Sequence, residues 1–210
     1  MQPFDTVLLE DDNLPRVHQE VSLLCRVPVA LAAALLALAG CNNNDNQVNG
    51  GIFVAPQFPN GFIPEVGTAI AGSFVRTDNA GNQFPVSMFI LSDQPGLCKK
   101  IADHPDFFKN AQVPFVAMIL TTAADKLGTF QIGFADGGTA QMLVTAGSGN
   151  PVGTFPADLG NISLRQLGVA AGSESDGTFD VGIIDATSRR KEVFGKFKTQ
   201  GCAAISGLQF

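Results

Sequence analysis

The chain has no tryptophan and no tyrosine among its 210 residues. The rings most suited to stacking on sugars are therefore missing, and only Phe is left for that role or to fill an interior. Histidine is scarce, with His18 and His104 alone. Cysteine numbers four, and no two are spaced Cys-x-x-Cys. Cys98 and Cys202, far apart and with His104 the one histidine beyond Cys41, do not make a zinc ligand set, and a thioredoxin-type redox pair wants Cys-x-x-Cys. No serine stands in Gly-x-Ser-x-Gly, the turn that presents a hydrolase nucleophile. Charged residues make up only 15% of the chain, and the net charge is −6. The one basic grouping is Arg189-Arg190-Lys191 with Lys196 and Lys198. Nucleic acid binding needs a concentrated cationic footprint, so nucleic acid is not an expected partner, and the grouping reads as a solvated hairpin turn. No apolar run reaches the roughly 20 residues that a membrane-spanning helix needs.

What is present begins with a short apolar stretch. Arg26 precedes thirteen mostly aliphatic residues, Val27 to Ala39, which end at Gly40-Cys41 before the polar run Asn42-Asn43-Asn44-Asp45. A positive start, a short apolar segment and small residues at its end describe an export signal. Leu38-Ala39-Gly40-Cys41 resembles the bacterial lipobox. That resemblance implies cleavage between Gly40 and Cys41, a diacylglyceryl group on the Cys41 sulfur and further acylation (palmitate or a similar chain) of the new amino terminus. The small residues let the backbone lie flat in a protease cleft, and the thiol is the lipid-accepting nucleophile. A buried apolar helix ending in an incidental cysteine is the competing reading. Two or more acyl chains anchor stably where one does not, so the expectation is a soluble domain held to the bilayer through Cys41. Asn42 after the cysteine favours the outer membrane where the source has one. Residues 1–25 suit export poorly, because Asp5, Glu10, Asp11, Asp12 and Glu20 are acidic. Val21 is an alternative start that would leave a compact signal, Val21 to Gly40.

The expected organisation is a signal peptide at 1–40, a lipidated cysteine and flexible linker at 41–64, and one domain at 65–210. Asn, Gly and Pro dominate the linker, which lacks an apolar period. Phe53, Phe58, Phe62 and Ile63 are the residues there that could pack back on the domain. From Cys41 on, eleven Lys and Arg stand against fourteen Asp and Glu, a net −3.

The domain reads as all-β, an antiparallel sandwich or barrel of about eight strands with one short helical insertion. The predicted strands are Val66–Arg76, Gln83–Leu91, Val113–Thr122, Gly128–Phe134, Thr139–Ala146, Asn161–Ala170, Gly177–Ile184 and Glu192–Thr199. Turn residues separate them, as in Asp78-Asn79-Ala80-Gly81-Asn82 and Ala135-Asp136-Gly137-Gly138. In Gly177–Ile184, Phe179, Val181 and Ile183 face one way and Thr178 and Asp180 the other, so that strand has a wet face. Val113–Thr122 is apolar on both sides, with Phe115, Ala117 and Ile119 opposite Val116, Met118 and Leu120. Gln83–Leu91 repeats this with Val86, Met88 and Ile90 opposite Phe89 and Leu91. Such strands are central or covered. The helical insertion is predicted at Pro95–Ala102, capped by Ser92 or Asp93, with a second turn at Asp106–Asn110 started by Pro105 and pinned by Phe107 and Phe108. Gly-x-Phe recurs at Gly72, Gly128, Gly153, Gly177 and Gly195. The intervals are unequal, and the Phe reads as a core plug, with a ligand platform as the alternative.

Two cysteines remain once Cys25 leaves with the signal and Cys41 is acylated. Cys98 and Cys202 in an exported domain are expected to pair, since exported thiols meet an oxidising environment. Apolar neighbours flank both: Leu97 and Ile101 beside Cys98, Phe197 and Ile205 around Cys202. His104 sits in Asp103-His104-Pro105-Asp106 and reads as a surface or capping residue rather than a base. Gly147-Ser148-Gly149-Asn150-Pro151-Val152-Gly153 lacks the lysine of a phosphate loop and reads as a hairpin loop. Glu174-Ser175-Asp176-Gly177 with Asp180 is either an ordinary turn or an oxygen-rich calcium loop.

Leu91-Ser92-Asp93-Gln94-Pro95-Gly96-Leu97-Cys98, Gly128-Thr129-Phe130, Gly177-Thr178-Phe179-Asp180-Val181 and Gly195-Lys196-Phe197 ahead of Cys202 resemble predicted lipoproteins of myxobacterial type. The similarity spans about residues 65 to 205. It implies a β domain and the Cys98–Cys202 pairing, and it brings no catalytic residue, metal or cofactor. The expected function is that of a non-enzymatic, lipid-anchored binding or structural module of the cell envelope. Its partners are the bilayer, through Cys41, and an envelope protein or glycan. A carbohydrate or small-ligand carrier is the alternative, and a hydrolase a weaker one.

Overall fold

The computed structural model describes residues 45–77, 80–133, 137–148 and 150–210. The expected signal peptide, Gly40 and Cys41 lie outside the described residues. Among the described residues the fold is all-β with one short helix. Its strands are β1 (Gln47–Gly50), β2 (Phe53–Ala55), β3 (Phe58–Phe62), β4 (Thr68–Thr77), β5 (Gln83–Ser92), β6 (Phe115–Ala123), β7 (Gly128–Gln131), β8 (Thr139–Thr145), β9 (Gly153–Gln166), β10 (Glu174–Ile184) and β11 (Arg190–Gly201). Helix α1 (Leu97–Asp103) lies between β5 and β6, and a 3-10 turn, Ala203–Gly207, follows β11.

Nine strands form one sheet, which runs β1-β11-β10-β9-β8-β6-β5-β4 with β7 on β9. The sheet closes on itself. Gln200 and Gly201 of β11 pair in parallel with Ile70 and Ala71 of β4, so β4, β5, β6, β8, β9, β10 and β11 form a ring. Between sandwich and barrel, the hydrogen bonding decides for barrel. Two strands share edges rather than extend the ring. β1 pairs with Val193–Lys196 on β11, and β7 pairs with Asn161–Leu164 beyond the stretch of β9 that β8 uses.

Alternation explains how the core divides. Side chains alternate across a strand, and in β4, β5, β6 and β8 both sets are apolar. Ala71, Phe89, Leu91, Met118, Leu120 and Met142 point into the ring, where they meet Phe179, Val181, Ile183 and Phe197. Ile70, Met88, Ile90, Ala117, Ile119 and Leu143 point out and form a second cluster. That outer layer is covered by α1, by the turn at 105–110 and by the C-terminal segment, through Leu97, Ile101, Phe107, Phe108, Ile205 and Leu208. The two-faced reading of Val113–Thr122 and Gln83–Leu91 therefore holds, with the covering layer identified. Phe108 stacks on Phe210 and meets Phe115 edge-on. Gly72 permits the close approach of the 3-10 turn, since a Cβ there would lie 2.6 Å from Ile205 Cβ and 2.8 Å from the Cys202 carbonyl.

Cys98 and Cys202 are bonded, with Cα atoms 5.8 Å apart. The bridge ties α1 to the chain leaving β11. Ile205 accompanies Cys202 in the covering layer as expected, but Phe197 lies inside the barrel. Cys202 lies five positions after Phe197, an odd step along an alternating strand, so the Phe197 ring points to the other side of the sheet.

The segment at 41–64 differs from the tether expected. Residues 47–62 are folded into β1, β2 and β3. Backbone pairing supplies the order that composition does not suggest: β1 adds to β11, the Lys198 N–H donates to Asn46 Oδ1 at 2.8 Å, and Ala186 N–H donates to Val54 O. The β2–β3 hairpin presses Phe53, fully buried, against Phe155 and Phe62. Phe53, Phe58 and Phe62 pack on the core, while Ile63 stays exposed.

The α1 cap also differs. The N-cap is Gly96 in a left-handed conformation, without a side-chain bond. Ser92 and Asp93 are occupied elsewhere: Ser92 Oγ donates to Val116 O at 2.9 Å, and Asp93 Oδ1 accepts from Val116 N–H at 3.1 Å. They hook the end of β5 to β6 instead. The strand predicted at Asn161–Ala170 begins at Gly153, because Pro156 and the polar alternation before Leu159 hide a segment that pairs with β8.

Candidate binding face

Among the described residues, the other half of the barrel carries no second layer. On β9, β10 and β11 the inward residues are Ile162, Leu164, Phe179, Val181, Val193 and Phe197, all buried. The outward residues are mostly polar and wet, with Leu159, Ile184 and Phe194 the exposed apolar side chains among them. β1 joins the open edge of β11 and β7 the open edge of β9, so five strands form one continuous outer face.

The register lines these side chains up in rows. Gln131, Asn161, Asp180, Phe194 and Asn49 are successive cross-strand partners. Beside them run Thr129, Ser163, Thr178, Lys196 and Gln47. Thr129 and Ser163 hydroxyls are bonded at 2.8 Å. Neighbouring strands are about 4.8 Å apart, so Asn161 to Asn49 spans about 14 Å. Phe194 is 45% exposed in the middle of this polar row. It is not one of the five Gly-x-Phe rings. Those are core plugs: Phe130, Phe179 and Phe197 are buried, and Phe155 and Phe74 pack partly buried against the two clusters.

Shallow grooves follow the same face. One of about 520 Å³ is lined by Gln47, Asn49, Asn161, Thr178, Asp180 and Phe194. A neighbour of about 370 Å³ runs over Gly182 between Leu159, Arg190, Asp180 and Glu192. Glycine makes that trough, since a Cβ on Gly182 would sit about 3 Å from the side chains of Arg190 and Leu159.

Ion pairs rim the face. Arg165 meets Asp176 at 2.7 Å, Lys198 meets Glu174 at 3.3 Å, and Arg190 grips Asp158 through Nε and Nη2. The hydrogen bond from Arg190 holds the Asp158 carboxyl below the usual carboxylate range and raises the guanidinium in turn. Glu174 and Asp176 thus stand on a strand, each paired with a cation. Glu174-Ser175-Asp176-Gly177 is neither the turn nor the calcium loop considered from sequence, and Ser175 is buried with its hydroxyl on the Gly168 backbone. Among the described residues no three His, Cys, Asp or Glu side chains gather as a metal site.

The basic grouping does flank a hairpin. Asp185 caps that turn with Oδ1, which accepts from Thr187 Oγ1 at 2.6 Å, Thr187 N–H at 2.9 Å and Arg189 N–H at 3.2 Å. Asp185 is buried, and burial opposes its charge, but these bonds and the Val54 amide hold its carboxyl below the ordinary value. His104 is exposed at the end of α1. Its carboxylate neighbours are engaged elsewhere: Asp103 with Lys99 Nζ at 2.6 Å and Asp106 with Asn110 Nδ2 at 2.8 Å. The loop after β8 is the expected hairpin loop, held by Thr145 Oγ1 on Gly147 N–H and by Asn150 Nδ2 on Gly147 O.

The barrel interior is occupied by side chains, with Phe53, Phe89, Leu120, Met142, Ile162 and Phe197 fully buried. The described grooves lie outside it, and what they offer is hydrogen bonding around one ring. No protein-family model matches the chain, and neither does a curated protein or a solved structure. Sequence reasoning passed over Phe194. Its signal was present: in Glu192, Phe194, Lys196 and Lys198 it is the aromatic in an otherwise charged outward series.

Proposed function

We propose that this protein is an exported lipoprotein, cleaved before Cys41 and acylated on it, whose β barrel acts as a non-catalytic binding or structural module of the cell envelope, at the outer membrane where the source has one. The observation that carries the reading is the run Leu38-Ala39-Gly40-Cys41 set just ahead of a disulfide-bonded domain whose first strand starts at Gln47. A disulfide between Cys98 and Cys202 belongs to an oxidising compartment, which suits the export signal. Six residues from Cys41 to Gln47 reach at most about 20 Å, so an acylated Cys41 would hold the barrel close to the lipid surface rather than on a long stalk. Among the described residues no helix is long and apolar enough to cross a membrane. The bare face of β9, β10, β11 and β1 is the surface through which such a module would engage an envelope partner.

The test is acylation. Full chain expressed in a lipoprotein-processing bacterium and fed a clickable palmitate analogue should be labelled and should sediment with membranes. Cys41→Ser should lose the label and accumulate as uncut precursor. A wild-type chain that is unlabelled, cytosolic and rich in free thiols would defeat the proposal.

A further inference from the structure

Among the described residues the bare face has one exposed ring, Phe194, whose neighbours on the sheet are polar and which shares a groove with the exposed Ile63. Phe194 has Asn49 and Asp180 as its cross-strand partners and Glu192 and Lys196 two residues away on the same side. Asn161 completes the row beyond Asp180. The chemistry of this set limits what can occupy it. Asp180 and Glu192 accept hydrogen bonds only, so an occupant must donate. Asn49, Asn161 and Gln47 both donate and accept, so it must also accept. The ring asks for one small apolar face, which the negative quadrupole of an aromatic surface attracts when that face presents C–H groups. Two carboxylates against Lys196 disfavour a polyanion. A protein partner fits poorly, because stable interfaces cover about 800 Å² per partner around an apolar core depleted of charge, and here charged residues border the ring.

A pyranose meets each requirement: hydroxyls that donate and accept, an apolar C–H face the size of one ring, and no charge. We infer that the row Asn161–Asp180–Phe194–Asn49 is a binding site for a neutral polysaccharide strand, with one sugar on Phe194 and its neighbours hydrogen-bonded to the carboxylate and amides on either side. Roughly 14 Å of row accommodates more than one sugar unit, so the site suits a chain rather than a monosaccharide. This rests on reading the bare face as the binding surface of the module, and it names the ligand class.

The experiment uses the full chain in detergent micelles, titrated with cellotetraose and with chitotetraose by isothermal calorimetry and by amide chemical-shift mapping. At least one tetrasaccharide should bind saturably, with shifts confined to β1, β9, β10 and β11. Phe194→Ala should weaken binding at least tenfold and Asp180→Ala at least threefold. Phe84→Ala, which removes another exposed ring on β5, should bind as wild type does. Thermal melts of all variants confirm that they are folded. Failure of the folded wild type to bind either sugar overturns the inference, as does binding that survives Phe194→Ala unchanged. Loss of Cys41 labelling in the acylation test would remove the anchor and leave this result standing, so the two proposals fail separately.

Discussion

The two outer sides of the barrel are built on the same alternation and end in opposite conditions. On β4, β5, β6 and β8 the outward residues include Ile70, Ile90, Ile119 and Leu143, and a second layer covers them. On β9, β10 and β11 the outward residues include Asn161, Asp180 and Lys196, and among the described residues none forms a layer over them. The inward residues are apolar on both sides. The inner core therefore makes the ring, and the outward residues alone decide which side is sealed and which stays available. On the sealed side the covering segments are short, with seven residues in α1 and five in the 3-10 turn. Pieces of that length are not stable helices alone. Their order comes from apolar contact and from the Cys98–Cys202 bridge.

The comparison is broken most severely from within the sealed layer. Phe108→Ala removes a buried ring that joins Phe107, Phe115 and Phe210 and should cost about 3–5 kcal/mol, read by denaturant unfolding. Next comes the bridge. Cys98→Ser closes off a link spanning 104 residues and should cost about 2–4 kcal/mol. The same loss should follow reduction of wild type, and the variant should melt identically with and without reductant. Full sensitivity of the variant to reductant would separate stability from this bridge.

A smaller effect lies at the bare side's hairpin. Asp185→Ala removes the cap at Thr187 and Arg189 and should cost about 1–3 kcal/mol at neutral pH. Because the folded carboxyl titrates below its unfolded value, its contribution is present above about pH 4 and fades as pH falls through the lower folded value. Wild type should therefore lose its advantage over the variant on acidification, and a gap that stays constant to low pH would refute the assignment. Smallest of all, Phe194→Ala on the open face should change stability by less than about 0.5 kcal/mol. A large loss there would mean that the ring is structural and the face less open than it looks.

Much of this division was legible in the chain. Apolar residues on both faces of Val113–Thr122 and Gln83–Leu91 mark strands buried on both sides, and Thr178 and Asp180 mark a wet one. The number of cysteines and an exported compartment pair Cys98 with Cys202, and the bridge joins these two. The helical insertion was placed within two residues at its start, but Gly96 rather than Ser92 or Asp93 stands at its cap. Residues 47–62 do not read as strands from composition: Asn, Gly and Pro hide segments whose order comes from distant partners, as when Asn46 meets Lys198, 152 residues away. Local signals do not carry such contacts. Phe194 was passed over for a related reason. Its meaning depends on Asn49 and Asp180 standing beside it, which only the register brings about.

The ring closes through the parallel pairing of Gln200 and Gly201 with Ile70 and Ala71, and β11 also holds β1. This ties the fold's completion to its last strand. Loops of about 130 residues must be closed before that join rewards the chain, and such long-range pairing makes folding slow, on the order of milliseconds to seconds. A chain lacking β11 has open edges on β4 and β10, no partner for β1 and no Cys202. Until residue 201 is available the ring stays open, and the row that carries Phe194 lacks its β11 and β1 members.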